Sequence, residues 1–99
     1  GPAVLVGDFN CGPDDPQLAR LLAPIDPATP AYCDAWNVAH PGEPHEPTVG
    51  LHDKAQWPGP PFTFDFACVS ADLVQRVRDV RVDASTNASD HQPMLLELA

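Results

Sequence analysis

Basic side chains are scarce in this chain: Lys and Arg together number 5 against 14 Asp and Glu, for a formal charge of -9. Such a surface repels polyanions unless a metal or an unseen basic surface compensates, so nucleic acid is disfavoured as a partner. Long apolar runs are missing too. No stretch approaches the roughly 18 to 20 residues that span a bilayer, and the first residues lack both the basic region and the apolar core of a secretory signal. The chain therefore reads as soluble, with the cytoplasm favoured and no compartment specified by any signal. Cysteine is sparse and unpaired: Cys11, Cys33 and Cys68 lack the close paired spacing of a zinc knuckle or redox motif and read as reduced thiols.

What is present suits one small domain or part of a larger one. An apolar content of 43% is ordinary for a globular protein despite 13 prolines among 99 residues. The stretch around which the rest is organised is Val4-Leu5-Val6-Gly7-Asp8-Phe9-Asn10. It predicts a buried strand that delivers Asp8 and Asn10 to the same face at its end. Its plain alternative is a polar turn after a strand. Downstream, Asp15 is a good N-cap and Pro16 a good first helical residue. Leu18, Leu21 and Leu22 then form one apolar stripe of a helix that covers a sheet, and Pro24 ends it.

From Ala23 to Thr48 the chain is rich in Pro and Asp, with one short helix expected over Asp34–Ala39 and Trp36 as its core anchor. His40, Glu43, His45, Glu46, His52 and Asp53 imitate a metal cluster. Their spacings across several prolines match no standard zinc pattern, so a solvated loop is the preferred reading over a zinc-binding module. Trp57, among prolines and Gly59, lines a substrate mouth or packs beneath its loop.

Phe62 to Val69 is the clearest strand, because Phe62, Phe64 and Phe66 alternate with smaller or polar residues. Asp65 falls on the face opposite these aromatics, where an isolated carboxylate is costly and must have a dedicated partner. A helical turn follows at Ser70–Leu73. Val80 with Val82 and Met94–Leu98 read as two further strands, separated by the loop that carries Ser89-Asp90-His91-Gln92-Pro93.

Gly7-Asp8-Phe9-Asn10, Phe64-Asp65-Phe66 before Val69-Ser70, and Ser89-Asp90-His91-Gln92-Pro93 resemble, in that order, the C-terminal motifs of the endonuclease/exonuclease/phosphatase superfamily. These are metal-dependent phosphoesterases related to pancreatic deoxyribonuclease. The family often has a basic residue two before the second Asp and a Tyr after it, where this chain has Thr63 and Phe66. The resemblance implies an α/β (α+β) fold: the C-terminal half of a four-layer α/β/β/α sandwich with mixed, largely antiparallel sheets, spanning residues 1–99. It implies hydrolysis of a phosphodiester or phosphomonoester by in-line attack of water, assisted by Mg²⁺ or Mn²⁺. Carried over, Asp90 resembles the metal-ligating carboxylate and His91 the histidine that contacts the scissile phosphate. Asp65 resembles the partner that orients that histidine, which predicts a hydrogen bond between them. Asp8 resembles the group that positions or deprotonates the water, and Asn10 one that holds the nucleophile or a phosphate oxygen.

Members of the family also carry an Asn and a metal-binding Glu near their N-terminal strands, which nothing ahead of Val4 supplies. The expected partners are thus a phosphoester substrate and a missing N-terminal half, or a second copy meeting an exposed apolar sheet face. A non-catalytic member that keeps the fold as an interaction module is the competing function.

Overall fold

The computed structural model describes residues 2–23, 26 and 31–99. Strand β1 (Val4–Asp8) pairs antiparallel with β3 (Asp65–Ser70), which pairs on its other side with β2 (Tyr32–Asp34). A second, two-stranded antiparallel sheet joins β4 (Val77–Val82) to β5 (Met94–Leu98). The architecture is therefore mixed α/β with antiparallel sheets.

Helix α1 (Pro16–Leu22) starts where the Asp15 carboxylate accepts from the Gln17 amide, with Pro16 in the first turn. It ends at Ala23; Pro24, its expected stop, lies outside the described residues. Leu18 is buried with Phe66 and Cys68, whereas Leu21 is exposed, so only part of the leucine stripe faces the sheet. Helix α2 (Ala35–Ala39) is capped by Asp34, whose Oδ1 accepts from the Trp36 amide. Trp36 is the anchor its size predicts: it joins Ala35, Ala67, Val69, Leu73 and Val80 in the main core.

Three expectations are corrected. β1 is not buried: Val4, Leu5 and Val6 are 44%, 39% and 62% exposed, because β1 is an edge strand with β3 on one side only. The strand through the phenylalanines begins at Asp65 rather than Phe62. Thr48 and Val49 both donate their amides to the Phe62 carbonyl, and this doubling breaks the regular ladder before Asp65. β2 was not visible in the sequence, being three residues long within Pro- and Asp-rich chain. The turn expected at Ser70–Leu73 is a 3-10 helix at Ala71–Arg76.

Candidate active site

The end of β1 and the start of β3 meet in register, with Asp8 the direct partner of Asp65. Residues directly opposite across an antiparallel pair project from the same face, and two like charges so placed repel. His91 relieves this. Its Nδ1 donates to Asp65 Oδ2 at 2.8 Å and its Nε2 lies 3.6 Å from Asp8 Oδ2. One metal-capable atom from each of Asp8, Asp65 and His91 lies within 4.8 Å of the others. The hydrogen bond that the sequence leads one to expect between Asp65 and His91 is thus present, across 26 positions of chain.

The electrostatics follow from the placement. Hydrogen bonding to Asp65 raises the His91 pKa above its ordinary value; partial burial opposes the rise, and the charges of Asp65, Asp8 and Asp90 reinforce it. Among the described residues, His91 is the one basic partner paired with Asp8 or Asp65. An imidazolium here is held by carboxylates on both ring nitrogens.

Asn10 does not share a strand face with Asp8. β1 has ended, Asn10 takes a left-handed φ of 55°, and its backbone amide donates to Asp8 Oδ1 at 2.8 Å. The tripeptide is a polar turn that fixes the Asp8 carboxylate, leaving Oδ2 toward His91. Asp90 is exposed and lies outside the three-residue group, with the Ser89 hydroxyl 3.4 Å from its Oδ1. It borders an open polar cavity of about 380 Å³ shared with His52, Asp53, Asn87 and Ser89. A more apolar cavity of about 240 Å³ runs from Asp65 along Val6, Ala67, Met94 and Leu96, between the two sheets.

The histidines of the middle segment serve other ends. His40 Nε2 donates to the Val80 carbonyl, His45 Nδ1 to that of Glu46, and His52 Nε2 to that of Ala84. They form no metal-capable group among the described residues. Trp57 packs edge-on against Phe62, its ring 5.2 Å away, with its indole N–H buried and without a partner among the described residues. Cys68 is fully buried in β3, where burial pushes its thiol up to about 12. Cys11 sits close enough to Asp8 and Asp15 for their charges to add to the burial that raises its pKa.

Two residues that position the site have no role assigned by the sequence. Gln92 is 4% exposed, and its side-chain amide donates to the carbonyls of Asp83 and Thr86, which pins the loop leading to Asp90 and His91. Thr48 is fully buried and its hydroxyl accepts from the amides of Phe64 and Asp65. Gln92 lies within the motif that carries Asp90 and His91; Thr48 has no sequence signal beyond being a polar residue before Val49.

No protein-family model matches this chain, and neither does any curated protein sequence. Among solved structures, the catalytic domain of Xenopus laevis APE2 is similar, with a TM-score of 0.69 at 20% identity. The match covers 98% of this chain and 37% of that one. APE2 is a member of the superfamily whose motifs the sequence resembles. The chain has the fold of part of that catalytic domain and spans about a third of its length.

Proposed function

We propose that this chain carries part of the active site of a metal-dependent phosphoesterase that hydrolyses a phosphodiester or phosphomonoester. The observation that carries the reading is the register pairing of Asp8 with Asp65 and the placement of His91 between their carboxylates. Two carboxylates also flank His40; what sets His91 apart is that its two belong to directly opposed residues of paired strands, on the exposed end of the sheet. The donor set suits a hard cation, being rich in carboxylate oxygens that lack Lys or Arg partners among the described ion pairs. Asp90 is the residue to hold Mg²⁺ or Mn²⁺. Such an ion supplies neutralisation of phosphate charge and a more acidic water.

The remaining steps belong to the side chains. Asp65 keeps the proton on His91 Nδ1, which fixes the ring and directs Nε2 outward. The Asp65 hydrogen bond raises the His91 pKa and so favours its protonated form, in which Nε2–H donates to a non-bridging phosphate oxygen. Asp8 Oδ2, facing that same nitrogen, takes the proton of the attacking water. The new bond to phosphorus forms as the opposite ester oxygen departs. Asn10, one turn beyond, holds the water or a phosphate oxygen.

The rest of the site, including a second acidic metal ligand, would come from a segment corresponding to the part of the APE2 domain that this chain does not cover. The fold likeness and the site geometry support this reading over an interaction module. Its test is an assay of the complete protein on phosphodiesters and phosphomonoesters with Mg²⁺. Asp8→Asn and His91→Ala should each lower kcat by about 100-fold or more. Wild-type rates in both variants would refute the assignment.

A further inference from the structure

Strand β3 has a gap in its hydrogen bonding where the chemistry begins. Its β2 side is covered only at Cys68, Val69 and Ser70, and β2 stops there. Nearer the site, among the described residues, the amides of Phe64 and Asp65 have no strand to donate to on that side. A partly buried amide left without an acceptor costs stability. The Thr48 hydroxyl meets both, at 3.1 Å from Phe64 N and 3.3 Å from Asp65 N. One side-chain oxygen thus stands in for a missing strand.

The same residue reaches the other half of the pair. The Thr48 carbonyl accepts from the Gln92 amide at 2.7 Å, and its neighbour Val49 bridges both Phe62 and His91. The side chain of Thr48 therefore fixes the backbone of Asp65 while its main chain fixes the backbone beside His91. We infer that Thr48 is a positioning residue that sets the distance between Asp65 and His91. Thr48 is 0% exposed, so it touches no substrate, and its influence must pass through those backbone bonds. The hydroxyl is the critical group: serine would preserve it, whereas valine has nearly the same shape and no acceptor.

The inference rests on the phosphoesterase reading for its catalytic consequence, and the experiment separates the two. Thr48→Val, Thr48→Ser and Thr48→Ala would be made in the complete protein and assayed below their unfolding temperatures. Exchange of the Asp65 amide would be followed in parallel. Thr48→Val should lower kcat by about tenfold or more, with KM changed less, because a displaced His91 loses more in the transition state, where charge builds on the phosphate, than in the ground state. Thr48→Ser should return kcat to within about threefold of wild type, although the lost methyl makes it less stable than a well-packed side chain.

A purely structural Thr48 would give the opposite order, with activity following stability and valine outperforming serine. That order, or wild-type kcat in Thr48→Val, overturns the inference. If Thr48→Val does not fold, Thr48→Ala takes its place against the serine variant, with the same two outcomes. If wild type hydrolyses no phosphoester, the functional reading fails and Asp65 amide exchange decides the positioning claim alone. Exchange about tenfold faster without the hydroxyl, and restored by serine, supports it; unchanged protection overturns it.

Discussion

Asp8 and Asp65 face each other across β1 and β3 with the His91 ring between their carboxylates, 2.8 Å from one and 3.6 Å from the other. The two contacts differ in kind. Asp65 is 13% exposed at its side chain and makes a short directed hydrogen bond, while Asp8 is 46% exposed and faces Nε2 at a distance longer than a hydrogen bond. The first is an orienting contact, and the second is a looser charge contact that leaves the Asp8 carboxylate open to solvent.

That difference predicts separable mutants. In the complete protein, Asp65→Asn should lower turnover by about 10- to 100-fold while leaving metal affinity nearly unchanged, because the group acts by holding a histidine. Isothermal titration with Mn²⁺ alongside steady-state kinetics checks both halves. Equal loss of metal binding would make Asp65 itself a ligand.

His40 gives a pH dependence of stability away from the site. Its Nε2 donates to the Val80 carbonyl, and the carboxylates of Glu43 and Asp79 lie within 3.3 Å and 3.4 Å of its ring nitrogens. Arg81 is the cation facing this group, 3.7 Å from Asp79. The Val80 carbonyl raises the His40 pKa above 6.5, burial opposes it, and the two carboxylates add to it. A raised value means that the folded state binds the proton more tightly. The stabilisation is therefore complete below the ordinary value and is lost as pH rises through the raised one. Urea midpoints from about pH 6 to about pH 8.5 should fall less in His40→Gln than in wild type. Parallel curves would show that His40 does not contribute.

Cysteine reactivity should follow burial. With its thiol pushed up to about 12 and no exposed surface, Cys68 should escape alkylation in the native protein. Iodoacetamide followed by mass spectrometry should modify Cys11 or Cys33 first. Labelling of Cys68 at a comparable rate would mean that β3 opens readily.

Much of the fold is legible in the sequence because its elements carry their own signals. Asp15-Pro16 starts α1 as caps do, and alternation at Val80 and Val82 marks β4. The three motifs indicate where Asp8, Asp65 and His91 lie, and the pairing of β1 with β3 brings them together. Other features depend on tertiary partners that no local pattern encodes. An apolar run such as Val4-Leu5-Val6 reads as buried, yet its burial requires a neighbour on the open side of β1. β2 is too short for periodicity, and Thr48 matters only because β2 stops before reaching Asp65. Asn10 follows Asp8 by the right spacing for a shared face, but a side-chain bond to its amide turns the backbone away first.

The open edge has its own consequence. Val4, Leu5 and Val6 expose apolar side chains on both faces of a strand whose outer edge is unpaired among the described residues, a combination that favours association. The isolated chain should form dimers or larger species by light scattering. A dilution-resistant monomer near 10.6 kDa would contradict this.

The central claim is that these residues are part of a phosphoesterase site and not the whole of it. Its most direct test compares Mg²⁺-dependent phosphoester hydrolysis by the isolated 99-residue chain with that of the complete protein, each with and without chelator. Asp90 alone offers one carboxylate, and a cation so held is weakly bound and poorly oriented. The account predicts chelator-sensitive turnover by the complete protein and none above background by the chain alone. Robust chelator-sensitive turnover by the isolated chain, or metal binding without hydrolysis by the complete protein, would contradict it.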